Sequence, residues 1–146
     1  MMRREFVVVV PGEPRGAGRP RFGRGRDGAP RAFTAKADRD YHARITEAWR
    51  ADACPTLPAG PWRCDLAAYM ARPKDHHRAD GSLSAKGLRE LYPSRKPDAD
   101  NILKVIDALV ACRAVSDDRY LVEAVVVKRW APEDEGPALR IQVAAA

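Results

Sequence analysis

The period of the apolar positions changes several times along the chain, and each change marks an element. Phe6 to Val10 is a continuous apolar, valine-rich run closed by Pro11-Gly12, which predicts a buried strand. Tyr41, Ile45, Ala48 and Trp49 recur on one helical face, with Arg39, Arg44, Glu47 and Arg50 largely elsewhere. An amphipathic helix is therefore expected, capped by Thr34 or Asp38 and running to about Ala53, with Tyr41 and Trp49 in the core. Trp62, Cys64, Leu66, Ala68 and Met70 alternate with Arg63, Asp65 and Tyr69, the pattern of a half-buried strand. Ile102, Leu103, Val105, Ile106, Leu109 and Val110 return to helical spacing. This second helix is expected to open at Asp98 or Asp100 and to end near Cys112–Ala114. Tyr120 to Trp130 is rich in valine, and Leu139, Ile141 and Val143 alternate with Arg140 and Gln142. Both read as strands, antiparallel and joined by the loop Pro132–Pro137.

Two polar segments interrupt the pattern. Residues 11–33 are rich in Gly, Pro and Arg, and residues 72–97 form a long polar loop containing His76 and His77. The His pair reads as solvent-exposed, the alternative being a transition-metal ligand or a proton donor. Cys54 to Gly60 is a linker within the domain. The element order predicts a single α+β domain over residues 1–146, a small mixed or antiparallel sheet with two main helices.

Charge sharpens the picture. The formal net charge is +6, and Arg15, Arg19, Arg21, Arg24, Arg26 and Arg31 lie close together with only Asp27 against them. Phe22 and Phe33 are interleaved, a composition suited to phosphate contact and stacking. Lys36 and Lys96 extend the candidate nucleic-acid surface. The three cysteines have no metal-ligand spacing and read as reduced thiols. No apolar run approaches membrane-spanning length, and Met1-Met-Arg-Arg-Glu5 does not read as a signal peptide.

The candidate chemistry lies between Lys96 and Tyr120. Asp98 and Asp100 precede the second helix, Asn101 and Lys104 follow within its first turns, and Asp117-Asp118 come just before the next strand. Each aspartate taken alone is a cap or a turn residue. Together, carboxylates crowded in a basic protein call for a cation among them, and a hard divalent metal facing phosphate oxygens fits. Lys104 and Asp100 can share a face, Asp107 can extend it, and Lys104 is expected to pair with a carboxylate at rest. Asn101 is expected to cap the helix rather than orient a water.

The run Lys96-Pro-Asp-Ala-Asp-Asn-Ile-Leu-Lys104, with Asp107-Ala-Leu109 and Asp117-Asp118, resembles the core of the RusA-type Holliday junction resolvases, common in phages and prophages. Val10-Pro-Gly-Glu-Pro14, Gly18-Arg-Pro-Arg-Phe22, Ala71-Arg-Pro-Lys74 and Tyr92-Pro-Ser-Arg-Lys-Pro97 extend the likeness over nearly the whole chain. The Lys104–Asp107 segment is one residue shorter than the family's pattern. The resemblance implies Asp98, Asp100 and Asp118 as catalytic metal ligands for magnesium, or manganese in its place, and Lys104 as the catalytic lysine. Asp117 is then a further ligand or a support to one. It also implies a homodimer that nicks four-way DNA junctions in recombination and repair, in the cytoplasm of a bacterium or phage-infected cell. Helix Ile102–Val110 and the last strands are the candidate dimer surfaces. The competing reading is a non-catalytic basic nucleic-acid-binding module. A nucleotide-sugar transferase is disfavoured, because no Gly-rich phosphate loop is present.

Overall fold

The computed structural model describes residues 4–146. Strands β1 (Glu5–Pro11), β4 (Trp62–Met70), β5 (Leu121–Trp130) and β6 (Ala138–Ala145) form one sheet in the order β1-β6-β4-β5. Strands β2 (Arg21–Arg24) and β3 (Pro30–Phe33) form a separate antiparallel hairpin. The helices are α1 (Lys36–Ala51), α2 (Ala85–Arg89), α3 (Ala99–Leu103) and α4 (Ile106–Ala111). The α+β class and the mixed sheet are as the sequence predicts.

Central strand β4 alternates as expected: Trp62, Cys64, Leu66, Ala68 and Met70 are buried, and the residues between them are half-buried. Its neighbours correct one expectation. β5 and β6 are not paired with each other; β4 lies between them, antiparallel to β6 and parallel to β5. A parallel neighbour needs a long crossover, and residues 71–120 supply it, so the acidic motif and α3 are carried over one face of the sheet, onto β4 and β5. That face holds the core. Val8, Val10, Leu66, Leu139, Ile141 and Val143 meet Tyr41, Ile45 and Trp49 of α1 and Ile102, Val105 and Leu109 of α3 and α4.

Five other expectations change. Strand β1, expected to be buried, is buried on one face only: Val8 and Val10 enter the core, and Val7 and Val9 are exposed. The N-cap of α1 is Ala35, with no side-chain cap, and Asp38 faces the basic loop instead. The basic loop is not wholly irregular, because the hairpin β2–β3 forms inside it. The second helix is two short helices. Val105 N donates to Ile102 O at 3.1 Å and Ala108 N to Val105 O at 3.0 Å. These three-residue bonds tighten the chain to a 3-10 turn, and that period brings Ile102, Val105 and Ala108 all into the core.

His76, expected at the surface, is fully buried. It closes the 3-10 turn Lys74–His76, edge-on to Trp130 with ring centroids 5.1 Å apart. Nε2 lies 3.0 Å from Glu90 Oε2, and Nδ1 lies 3.3 Å from Arg72 Nη1. Arginine only donates, so Nδ1 accepts and Nε2–H donates to the carboxylate. Trp130 Nε1 donates to Glu90 O at 2.8 Å, and Arg72 stacks over the Trp130 ring. The polar segment is thus fastened to the end of β5. Only glycine fits at Gly87, since a Cβ there would collide with the His76 carbonyl.

Candidate active site

The polar segment delivers the chain to the acidic motif along a fixed path. Arg95 Nη2 donates to Ala71 O at 2.6 Å, and Lys128 Nζ donates to Arg95 O at 2.5 Å. Two residues later comes Pro97, after a cis peptide bond, and then Asp98. Asp98 is the N-cap of α3 by its extended backbone (φ −73°, ψ 155°), and its carbonyl accepts from Ile102 N at 3.0 Å. Its side chain makes no cap bond. Asp98 and Asp100 are both exposed. Neither has a side-chain hydrogen bond or ion pair among the described residues, and the same is true of Lys96 and exposed Asp118.

Lys104 ends α3 half-buried, and its Nζ donates to Asn101 Oδ1 at 2.8 Å. This corrects two expectations. The resting partner of the lysine is an amide and not a carboxylate, and the Asn101 side chain holds the lysine instead of capping the helix. The tightened turn after Ile102 explains the exchange, since a three-residue reach back from Lys104 meets Asn101 and a four-residue reach meets Asp100.

Asp118 enters from the other direction. It opens the 3-10 turn Asp118–Tyr120 that leads into β5, while α3 packs across β5 and α4 packs on that turn. Asp117 caps the turn by accepting from Arg119 N at 2.9 Å. That amide holds its carboxyl below the ordinary value, with help from the Arg119 charge. Trp62 Nε1 donates to Asp117 O at 3.0 Å and fixes the turn to β4. Among the described residues no group of three His, Cys, Asp or Glu side chains is close enough to hold a metal ion. The structure therefore places Asp98, Asp100 and Lys104 along α3, from its N-cap to its C-cap, and Asp118 apart from them at the head of β5, with no closed three-carboxylate cluster among the described residues.

The basic loop is seated against this helix. Ala17 N donates to Asn101 O at 3.0 Å. A Cβ on Gly16 would lie 2.7 Å from Asn101 Cβ and 2.8 Å from Pro97 Cβ, so glycine is what lets the loop approach so closely. Behind it, buried Asp38 accepts from Arg15 Nε at 2.7 Å and from Gly18 N at 3.2 Å. Burial raises the Asp38 pKa, but these bonds and the Arg15 charge outweigh it and hold the carboxyl below its ordinary value. The candidate DNA contacts divide accordingly. Arg15 is committed to Asp38, Arg31 pairs with Asp27 at 2.7 Å, and Lys36 pairs with Asp40 at 2.6 Å. Arg19, Arg21, Arg24 and Arg26 are exposed and unpaired among the described residues.

The loop, the polar segment and the acidic motif are thus one assembly, and they fall inside one match: the family model for endodeoxyribonuclease RusA covers residues 11–144. The chain belongs to the RusA endodeoxyribonuclease family. No curated protein matches it. Membership places this RusA-family chain in a nuclease class and does not distinguish a phage branch. The donors fit a hard divalent cation in kind, being three exposed carboxylates free of internal partners, with oxygens only. Sequence reasoning missed the Asp38 tether and the buried His76–Glu90 brace. Asp38 carried a signal, a carboxylate in a helix's first turn, but the alternative of a partner from the preceding loop had no local mark.

Proposed function

We propose that this protein is a magnesium-dependent endonuclease that resolves four-way DNA junctions by paired nicks. Family membership carries the reading. It is supported by the exposed, uncommitted carboxylates at the start of α3 and by Lys104 held one turn away. Asp98 and Asp100 would hold the magnesium, or manganese, with Asp118 joining from the head of β5. When bound, such an ion lowers the pKa of a water and neutralises phosphate oxygens. The chain's own residues do the rest. Lys104 exchanges the Asn101 oxygen for a phosphate oxygen, placing its charge where negative charge builds in the transition state. Arg19, Arg21, Arg24 and Arg26 bind the DNA backbone and set the register without reading bases. Phe22, 87% exposed on the hairpin, offers a stacking face to an unpaired base.

Two symmetric strands must be cut, which suits a two-fold dimer. Ile102, Val105, Leu109, Leu139, Ile141 and Val143 are buried within the protomer, which leaves half-buried Leu103, Ile106 and Val110 as the apolar side chains that α3 and α4 could offer. Exposed Val122 and Val125 on edge strand β5, Val7 and Val9 on β1, and Leu88, Leu91 and Tyr92 of the polar segment offer apolar surface to a second copy. The work proposed for it is recombination and repair in the cytoplasm of a bacterial or phage-infected cell. No helix among the described residues is long and apolar enough to cross a membrane.

One observation favours a second reading, a basic binding module without catalysis: no ready three-carboxylate group is present among the described residues. Incubation with a synthetic four-way junction and matched linear duplex, with magnesium and with chelator, separates the two. Paired nicks on the junction alone, only with metal and lost in Asp98→Asn, are expected. Binding without nicks in magnesium and in manganese would establish the module instead.

A further inference from the structure

A cleft of about 650 Å³ lies between the Ala17–Pro20 part of the basic loop, the first half of α1, and the side of α3 and α4 that carries Lys104. Its titratable lining is Arg19, Arg39, His42 and Lys104 against Asp38 and Asp107. Asp38 is already neutralised by Arg15 and the Gly18 amide. The side chains of Arg19, Arg39, His42 and Asp107 have no hydrogen bond or ion pair among the described residues. Three fixed cations therefore face a single uncompensated carboxylate. The volume is that of a small-ligand site, larger than a bare ion needs and enough for a phosphate with its sugar. Two carboxylates, one of them spent, do not make a cation site.

We propose that this cleft is a second phosphate subsite. In it, Arg39 and His42 of α1, with Arg19 across from them, hold a DNA backbone phosphate next to the one that Lys104 serves. Lys104 lines the cleft and also stands one turn from Asp100, so a strand crossing α3 passes from one site into the other. The inference rests on the nuclease reading for the identity of the neighbouring site, but not for the binding itself. Arg39 and His42 lie outside the arginine-rich loop and share one side of α1 three residues apart, Arg39 exposed and His42 half-buried. They would fix the strand's direction relative to the acids, where the loop supplies attraction alone.

The test is junction binding over a salt series, with cleavage kinetics beside it, for wild type, Arg39→Gln, Arg39→Lys and His42→Ala. Arg39 is exposed and unpaired among the described residues, so unchanged melting temperatures are expected and confirm intact folds. Arg39→Gln should reduce the slope of log K against log salt by about one unit. It should also raise KM about tenfold with little change in kcat, and Arg39→Lys should restore most of the slope. His42→Ala should weaken binding with a smaller change in slope. An unchanged slope and KM in Arg39→Gln overturns the subsite and leaves the nuclease reading standing. A wild type that binds without nicking, yet loses a slope unit in Arg39→Gln, upholds the subsite and overturns the nuclease reading.

Discussion

The side chains of Asp98, Asp100 and Asp118 are exposed and make no hydrogen bond or ion pair among the described residues, and that separates chemistry from stability at single residues. An aspartate that caps a helix costs about 1 kcal/mol when replaced; these three do not cap by their side chains. Asp98→Asn and Asp118→Asn should therefore melt within about 2 °C of wild type while losing at least about 100-fold in cleavage, junction affinity being kept. A melting temperature that falls in step with activity would return these residues to structural roles. The start of α3 at Asp98 was legible because Asp-x-Asp-Asn ahead of an apolar run is a local pattern. The partner of Lys104 was not, since it depends on how tightly the chain turns after Ile102. His76 was illegible for a different reason. It sits in a polar stretch, and its burial comes from Trp130, which is remote in sequence. His76→Ala should cost about 2–4 kcal/mol in urea unfolding, because it opens a cavity and strips the hydrogen bond from Glu90. A loss under about 0.5 kcal/mol would show that the brace is ornamental.

At the scale of elements, the strands were readable because alternation in β4 and β6 reports burial directly, residue by residue. The breaks were not. A single helical period runs through Ile102 to Val110 in the sequence, yet the three-residue spacing of Ile102, Val105 and Ala108 serves a 3-10 turn equally well, and packing on β4 and β5 decides between them. The seating of the basic loop on α1 and α3 likewise has no local signature, and it rests on Asp38. Because folding depresses the Asp38 pKa, its contribution is fully present above the unfolded value of about 3.9 and is lost as pH falls through the lower folded value. The stability difference between wild type and Asp38→Asn, about 1–3 kcal/mol for a buried charged hydrogen bond, should hold constant from pH 7 to pH 5. It should shrink only below about pH 4. A difference that disappears already between pH 7 and pH 5 would mean that the tether is not this carboxylate. Gly16→Ala should leave the core intact but push the loop off Pro97 and Asn101, lowering junction cleavage more than stability.

For the whole molecule the deciding quantity is where the +6 charge is free to act. Six arginines between Arg15 and Arg31 suggest six phosphate contacts, but the fold removes one outright. Arg15 is bound to a buried carboxylate, and losing that partner would leave Asp38 charged and unpaired. Arg31 is paired with Asp27, both more than half exposed; such surface pairs are worth little and exchange readily for phosphate. Arg21, Arg24 and Arg26 sit on or beside the hairpin β2–β3, which is not paired to the main sheet and adds nothing to the core. Their charge therefore serves association and not folding. Each phosphate neutralised contributes about 0.9 to the salt slope on duplex arms. Replacing Arg21, Arg24 and Arg26 together by Gln should lower the slope by about 2–3 units and weaken junction and duplex binding alike. The melting temperature should stay where it was, and so should the single-turnover cleavage rate at saturating protein, because Asp98, Asp100 and Lys104 stand on α3 and Asp118 at the head of β5. The same triple substitution leaving the slope unchanged would mean that the hairpin does not touch DNA. A fall in the saturated rate would mean that the hairpin helps to shape the branch point at the cut and does more than hold the arms.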